Sequence, residues 1–331
     1  MGNYGLVADA GGTNVRFALV DLDQASPALI APHKFTSKNF ASIEDAARTY
    51  LSEQKLDASP SVAVLSVAGP VGGKAIDMTN LGWRFSGADV AKALQIGRVH
   101  LINDYEAIAY SVSALGQADL RDIGPLSVVP KSERETLAIV GPGTGLGVGG
   151  YLRTANGLAP LVTEGGHMDF APGDGLEIEI LKFLRARFGH VSAERILSGP
   201  GLSNLFEALA AVQGSPEDKL EPHEITAGAL QDATSLCGQV LSRFCAILGS
   251  VAGNVALVMG ARDGVLLAGG ILPAVADFLI ASSFRTRFEA KGRFEAYMRE
   301  IPTRLIVQDN AGLVGAAASL AAMRCAPDGS R

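Results

Sequence analysis

Short apolar runs that end at glycine or polar residues recur along the whole chain. The first two runs, residues 6–8 and 16–20, predict strands, and Gly11-Gly-Thr-Asn14 between them predicts a hairpin loop. About 130 residues later, a run at residues 136–140 is again followed by a glycine-threonine loop and a second strand. The repeat predicts a duplicated fold with a cleft between its halves.

Helix caps and further apolar runs complete the predicted framework. Ser42-Ile-Glu-Asp45 and Ser86-Gly-Ala-Asp89 each have the pattern that opens a helix. Helices are also expected at residues 175–188, 232–260 and 311–323, the last packing back on the N-terminal half. Strands are expected at residues 29–35, 61–68, 99–102, 265–270 and 303–307. This alternation of strands and helices is typical of an α/β protein.

Composition and charge exclude several classes of protein. The chain has 331 residues, enough for two domains, and is 48% hydrophobic and 19% charged, as globular proteins are. Its net charge of -6 gives no electrostatic support for binding nucleic acid or an anionic membrane. Cys237, Cys245 and Cys325 have no CxxC spacing, which indicates reduced thiols in a cytoplasm, and the N-terminus does not read as a signal peptide.

One uncharged segment, residues 244–261, is long enough to suggest a membrane span. It contains glycine, serine and asparagine, and arginines lie at both edges. A helix buried on all sides in a large α/β domain has the same composition. We therefore expect a core helix and no membrane partner.

The first glycine loop and Asp9 are candidates for binding a phosphate and its metal. Glycines let main-chain N–H groups face an anion without a Cβ in the way. Asp9 ends the first strand beside this loop, and a carboxylate next to a phosphate requires a divalent cation between them. An ordinary hairpin with a surface aspartate explains the same residues.

Asn103 and Asp104 follow the strand at residues 99–102. Ligands in open α/β sheets bind at the carboxyl ends of the strands, so Asp104 is a candidate general base. The alternative is that Asp104 is simply the N-cap of the next helix.

A third signal is Glu164-Gly-Gly-His167. A neutral sugar needs carboxylate and imidazole partners for its hydroxyl groups, and the two glycines are expected to permit a close approach to such a ligand. A metal site is disfavoured because the remaining histidines supply no paired spacing. Glu194 lies in a capped turn further along, where a structural role at a helix start is the alternative.

The second glycine loop also fits a dinucleotide fingerprint, because Gly145, Gly147 and Gly150 match G-x-G-x-x-G. That motif requires a helix immediately after the loop. Residues 148–152 read as a strand instead, which makes a dinucleotide oxidoreductase the weaker interpretation.

Taken together in order, the motifs resemble the ATP-dependent bacterial glucokinases of the hexokinase/actin superfamily. The motifs are Asp9-x-Gly-Gly-Thr-Asn-x-Arg16, Asn103-Asp104, Gly141-Pro-Gly-Thr-Gly-Leu-Gly147, Glu164-Gly-Gly-His167, Glu194-Arg-Ile-Leu-Ser-Gly-Pro-Gly201 and Ala268-Gly-Gly-Ile271. The resemblance implies two α/β domains of ribonuclease-H-like fold flanking a cleft, and a cytoplasmic homodimer. It also implies phosphorylation of glucose at its 6-hydroxyl by Mg-ATP, the first step of glycolysis.

The resemblance assigns a role to each candidate residue. Asp104 is implied to be the base, and Asn103, Asp104, Glu164, His167 and Glu194 are implied to bind the sugar. Asp9 is implied to lie near Mg²⁺. The implied nucleotide contacts are Ala8, Asp9, Ala10, Gly11, Gly12, Thr13, Asn14, Gly143, Thr144, Gly145, Gly269 and Gly270. The related repressor/kinase branch has a cysteine-rich zinc motif after its Glu-x-Gly-His; the absence of cysteine at residues 168–174 here predicts a member without structural zinc.

The expected small domain comprises residues 1–110 with 310–331, and the large domain residues 111–309. A kinase for another hexose or an amino sugar remains an alternative. A sugar-sensing repressor is disfavoured because five residues, too few for a DNA-binding motif, precede the first expected strand.

Overall fold

The computed structural model describes residues 2–24, 28–56, 59–69, 71, 75–78, 81–125, 134–155, 157–215 and 219–325. The chain divides into two compact units: unit 1 comprises residues 1–116 and 308–331, and unit 2 comprises residues 117–307. The strands are β1 (Tyr4–Ala10), β2 (Asn14–Asp21), β3 (Leu29–Thr36), β4 (Val62–Val67), β5 (Ile76–Met78), β6 (Trp83–Phe85), β7 (Arg98–Asn103), β8 (Leu120–Asp122), β9 (Glu135–Pro142), β10 (Leu146–Thr154), β11 (Gly157–Thr163), β12 (Gly264–Leu267) and β13 (Thr303–Ile306). The α-helices are α1 (Ile43–Glu53), α2 (Gly87–Leu94), α3 (Asp104–Ser111), α4 (Gly175–Phe188), α5 (Gly199–Val212), α6 (Pro222–Gln231), α7 (Leu236–Met259), α8 (Ala276–Ala281), α9 (Phe284–Glu289), α10 (Glu295–Arg299) and α11 (Ala311–Cys325).

Unit 1 is built on a sheet with the strand order β3-β2-β1-β4-β7. The first three strands form an antiparallel meander, whereas β4 and β7 run parallel to β1. Leu6 packs on one face with α1 and α2, and Val7 packs on the other face with α3 and α11. Burial of both faces explains why β1 is almost continuously apolar. The prediction that the last helix packs on the N-terminal half is confirmed.

Unit 2 repeats this arrangement. Its sheet has the order β11-β10-β9-β12-β13-β8, in which β9, β10 and β11 form the meander and β12 and β13 run parallel to β9. The added strand β8 pairs with β13 in the antiparallel sense. The predicted duplication is therefore confirmed, and the two glycine loops are equivalent turns, β1–β2 and β9–β10.

The uncharged segment lies inside unit 2 as part of α7. Among the described helices, α7 is the one long and apolar enough to cross a membrane, with a mean hydropathy of 1.6. However, 72% of its apolar stretch is buried, and Phe244 and Leu248 belong to the main hydrophobic cluster of unit 2. Its packing is that of a core helix, as predicted.

A buried carboxylate joins three helices of unit 2. Glu177 of α4 accepts hydrogen bonds from Arg287 of α9 at 2.8 and 2.9 Å and from Arg243 of α7 at 2.9 Å. The main-chain N–H of Gly173 donates to the same carboxylate at 2.6 Å. Burial alone would raise the pKa of Glu177, but these partners outweigh burial and lower it.

Candidate active site

Asp9 is the second-last residue of β1 and lies beside the first glycine loop. The strand register places it across from Arg16 on β2 and Ser66 on β4. Arg16 donates from Nη1 to Oδ2 of Asp9 at 3.3 Å. The loop itself is closed by a hydrogen bond from the N–H of Gly11 to the carbonyl of Asn14 at 2.9 Å. The N–H of Gly11 is therefore engaged within the loop itself.

The environment of Asp9 favours an additional cation. Burial raises the pKa of this carboxyl, and the nearby Arg16 and Ser66 lower it without cancelling the effect. The Ser66 hydroxyl is buried close to Asp9, but it forms no hydrogen bond of normal geometry with any described residue. The Asp9 side chain is nevertheless 21% exposed, so an ion can reach it. A carboxylate in this state would be stabilised by a bound cation.

The N-cap position that the sequence left open for Asp104 is occupied by Asn103. The N-cap of α3 is Asn103, whose Oδ1 accepts from the N–H groups of Tyr105 and Glu106 at 2.8 and 3.3 Å. Its Nδ2 donates to the carbonyl of Gly69 at 3.0 Å, and the residue is 8% exposed. Asp104 is the first residue of α3, and its Oδ1 also accepts from the N–H of Tyr105 at 3.0 Å.

Asp9 and Asp104 lie at the same edge of the unit 1 sheet. β1, β4 and β7 are parallel, and the register aligns Ala10 with Val67 and Val67 with Asn103. Two strand spacings therefore separate the acids laterally, roughly 10 Å. The carboxyl edge of a parallel sheet is where α/β proteins bind their ligands, which makes this edge the candidate site of unit 1.

The second glycine loop is held by the segment that contains Glu194. The N–H of Gly143 donates to the carbonyl of Gly145, and the N–H of Gly199 donates to the carbonyl of Gly143, both at 2.8 Å. Glu194 Oε2 accepts from the N–H of Leu146 at 2.9 Å. Thr144 is exposed at the tip of the loop. Glu194 is thus attached to this loop, a contact that its position in a capped turn did not predict.

Glu164 directly precedes a 3₁₀ turn, Gly165–His167, that packs on β10 and ends with His167. The side chains of Glu164 and His167 are 66% and 62% exposed, with 3.9 Å between Oε2 and Nε2. A Cβ on Gly166 would lie 2.0 Å from the carbonyl oxygen of Leu146. The missing side chain of Gly166 therefore makes room for β10, a packing role that the sequence did not predict. The packing brings Glu164, His167 and Glu194 to the same loop of unit 2.

Comparison with known proteins identifies the family. The protein-family model described as glucokinase matches residues 6–323. The chain belongs to the glucokinase family. It is 45% identical over 325 residues to the glucokinase of Caulobacter sp. strain K31, covering 98% of this chain and 96% of that protein.

Solved structures of glucokinases agree with this family and fold. The crystal structure of a glucokinase from an Antarctic psychrotroph has a TM-score of 0.83 and 38% identity, covering 97% of this chain and 99% of that chain. A ROK family glucokinase from Streptomyces griseus, solved with glucose and AMPPNP, has a TM-score of 0.64 and 19% identity, covering 97% and 100% of the two chains. The second likeness shows a shared fold.

The two glycines that follow β12 differ in their surroundings. Gly269 adopts a φ of +89°, and a Cβ there would lie 2.3 Å from the carbonyl of Pro142, so the end of β12 packs directly against the second loop. A Cβ built on Gly270 would meet no other atom within 4 Å. The dinucleotide interpretation of Gly145, Gly147 and Gly150 is wrong, since β10 follows this loop where that motif requires a helix.

Proposed function

We propose that this chain transfers the terminal phosphoryl group of ATP to the 6-hydroxyl of D-glucose, forming glucose 6-phosphate and ADP as the first step of glycolysis. Membership of the glucokinase family makes it an ATP-dependent hexose kinase. The observation that supports the specific mechanism is the position of Asp104, an acid at the carboxyl edge of the unit 1 sheet that directly follows the N-cap Asn103.

Asp9 is the proposed point at which nucleotide-bound Mg²⁺ is held. No group of three or more His, Cys, Asp or Glu side chains suited to a metal is present among the described residues. Mg²⁺ fits a single carboxylate because it keeps several waters and is held by one or two carboxylates together with substrate phosphates. When bound, the ion would neutralise negative charge on the phosphates. The main-chain N–H groups of Gly12, Thr13, Thr144 and Gly145 would bind phosphate oxygens.

Asp104 is the proposed general base. The 6-hydroxyl oxygen attacks the terminal phosphorus, its proton passes to the Asp104 carboxylate, and the bond from phosphorus to the ADP oxygen breaks. Such proton transfer contributes about 10²–10⁴-fold to the rate. The cap formed by Asn103 fixes the start of α3 and so the position of Asp104.

The sugar hydroxyls are proposed to bind Glu164, His167, Glu194 and the remaining N–H of Asn103. Both Glu164 and His167 are exposed enough to accept a ligand, and Glu194 retains Oε1 besides the oxygen that binds Leu146. The open space at Gly270, next to Gly269, would receive the adenosine.

The remaining parts of the proposal concern organisation and location. The proposed domains are residues 1–110 with 310–331, and residues 111–309. The family resemblance supports a cytoplasmic homodimer that binds neither nucleic acid nor membrane, and the net charge of -6 is in keeping with this.

A coupled assay of ADP release tests the proposal with glucose, mannose, fructose and glucosamine as acceptors. We expect glucose to be preferred, and Asp104→Ala to abolish nearly all turnover while glucose still raises the melting temperature. Asp45→Ala, which removes an acid from the first turn of α1, is the control and should retain activity. A near-wild-type kcat in Asp104→Ala would exclude Asp104 as the base, and preference for another sugar would identify a different hexose kinase.

A further inference from the structure

The Asp9 carboxylate lies directly against the start of α11. A Cβ built on Gly312, the second residue of that helix, would be 2.6 Å from Cγ of Asp9 and 2.7 and 2.9 Å from its two oxygens. Gly312 is absent from the residues with positive φ, so its backbone conformation is open to any residue. Space for the carboxylate is therefore the reason that the structure gives for glycine at this position.

The contact distinguishes Gly312 from the other glycine in α11. A Cβ on Gly315 would lie 1.7 Å from the carbonyl oxygen of Ala107, so Gly315 allows α11 and α3 to pack closely. Gly312 instead faces a side chain with a proposed chemical role. The first turn of a helix also stabilises a nearby carboxylate, because its N–H groups and dipole present positive charge.

We propose that Gly312 is a positioning residue for Asp9: its lack of a side chain lets the carboxylate lie against the first turn of α11, where it meets nucleotide-bound Mg²⁺. This inference rests on the proposed function of Asp9. Arg16 holds the same carboxylate from β2 at 3.3 Å, and Ser66 lies next to it on β4. Any side chain at position 312 would push the carboxylate away from this arrangement.

The first measurement compares Gly312→Ala with Ala316→Gly. Misplacing a reacting group by about 1 Å costs up to about 100-fold in rate. Gly312→Ala should lower kcat by about 10- to 100-fold and raise the Mg²⁺ concentration needed for half-maximal rate, with the KM for glucose unchanged. Ala316 is fully buried on the same helix, so its replacement by glycine weakens α11 without touching Asp9 and should leave the Mg²⁺ dependence unchanged.

The second measurement needs no catalysis. Gly312→Ala should lower the melting temperature of the wild-type chain, and this loss should shrink markedly in an Asp9→Ala background, where the carboxylate is gone. Equal losses in both backgrounds would overturn the proposed contact. If the losses are coupled but Gly312→Ala keeps the wild-type Mg²⁺ dependence, the positioning role is overturned. Wild-type activity of Asp9→Ala alone would instead overturn the proposed function of Asp9.

Discussion

Asp9 of unit 1 and Glu177 of unit 2 are both carboxylates drawn partly or wholly out of water, yet their pKa values move in opposite directions. Asp9 has one guanidinium at 3.3 Å, and burial raises its pKa. Glu177 accepts hydrogen bonds from Arg243, Arg287 and the N–H of Gly173, and these lower its pKa despite burial. The two units share a strand order but use buried charge differently.

The contrast shows which of the two carboxylates has its negative charge compensated by arginine side chains of the protein alone. Glu177 is 0% exposed and has two arginine partners, so it holds α4, α7 and α9 together. Asp9 remains 21% exposed with one arginine partner, so the proposed Mg²⁺ would add a second positive charge beside it. The raised pKa of Asp9, at a strand end beside a glycine loop, is in keeping with its proposed role in a ligand site.

The largest expected effect on stability comes from Glu177→Ala. Removing the shared partner of Arg243 and Arg287 leaves two guanidinium groups near the core, which costs about 3–5 kcal/mol of unfolding free energy. Urea unfolding at pH 7 measures the loss. Glu179→Ala on the same helix removes an exposed pair with Lys182 and should cost less than about 1 kcal/mol. Equal effects of the two variants would contradict the structural role given to Glu177.

Asp9→Asn should have a large effect on catalysis and a small effect on stability, the reverse of Glu177→Ala. It removes charge with little change in shape, so we expect kcat to fall by about 10²–10³-fold. Stability should change by no more than about 1 kcal/mol, because Arg16 is itself partly exposed. Asp21→Asn, at the other end of the β1–β2 pair, is the control for kinetics. A large loss of stability with unchanged kcat would mean that the comparison assigns the two acids to the wrong roles.

The lowered pKa of Glu177 predicts a pH dependence of stability. A group whose folded pKa lies below its unfolded value of 4.5 stabilises the fold above that value and loses this contribution as the pH falls through the folded pKa. The unfolding free energy of the wild type should therefore decline more steeply below about pH 4.5 than that of Glu177→Gln. The neighbouring Asp174 also has a lowered pKa, so part of the decline should remain in the variant.

The helices and strands that the sequence predicts correctly are those marked by residues within or next to the element itself. Both glycine hairpins and the bounds of α4 were predicted, because strand alternation, the Asp174 cap and Gly189 are local features. β11 was missed because its side chains are mostly exposed and it contains Pro160. α5 was missed because Gly199-Pro-Gly201 reads as a turn, although Ser198 caps a helix there.

Contacts between distant residues gave no sequence signal. The segment at residues 284–299 has the mixed-charge composition of a surface, but Phe284, Phe288 and Met298 are fully buried. Arg285 is also buried and donates to the main-chain carbonyls of Ile301 and Met298. In the candidate site, Glu194 contacts the second loop at Leu146, which is 48 positions away in the sequence. The contact between Gly312 and Asp9 likewise exists only because the fold brings the two ends of the chain together.

Glu194 is intermediate between Asp9 and Glu177, because one of its two oxygens accepts a hydrogen bond from the second glycine loop. Gly145→Ala tests this contact, because a Cβ there would lie 2.5 Å from Oε2 of Glu194. The variant should lose the hydrogen bond from Leu146, at a cost of about 1–3 kcal/mol in stability. The KM values for both glucose and ATP should rise, since Glu194 is the proposed contact of the sugar and also holds the loop.

The smallest expected effect is that of Gly143→Ala, two residues away in the same loop. A Cβ at position 143 meets nothing within 4 Å, and φ is not positive, so the chain should fold with wild-type stability. If the loop binds phosphate through its main chain, the added methyl group lies in the path of the ligand and raises the KM for ATP several-fold while the KM for glucose stays constant. Melting curves and initial rates with each substrate varied separate the two glycine variants. A rise in the KM for glucose alone in Gly143→Ala would place the sugar, and not the nucleotide, at this loop.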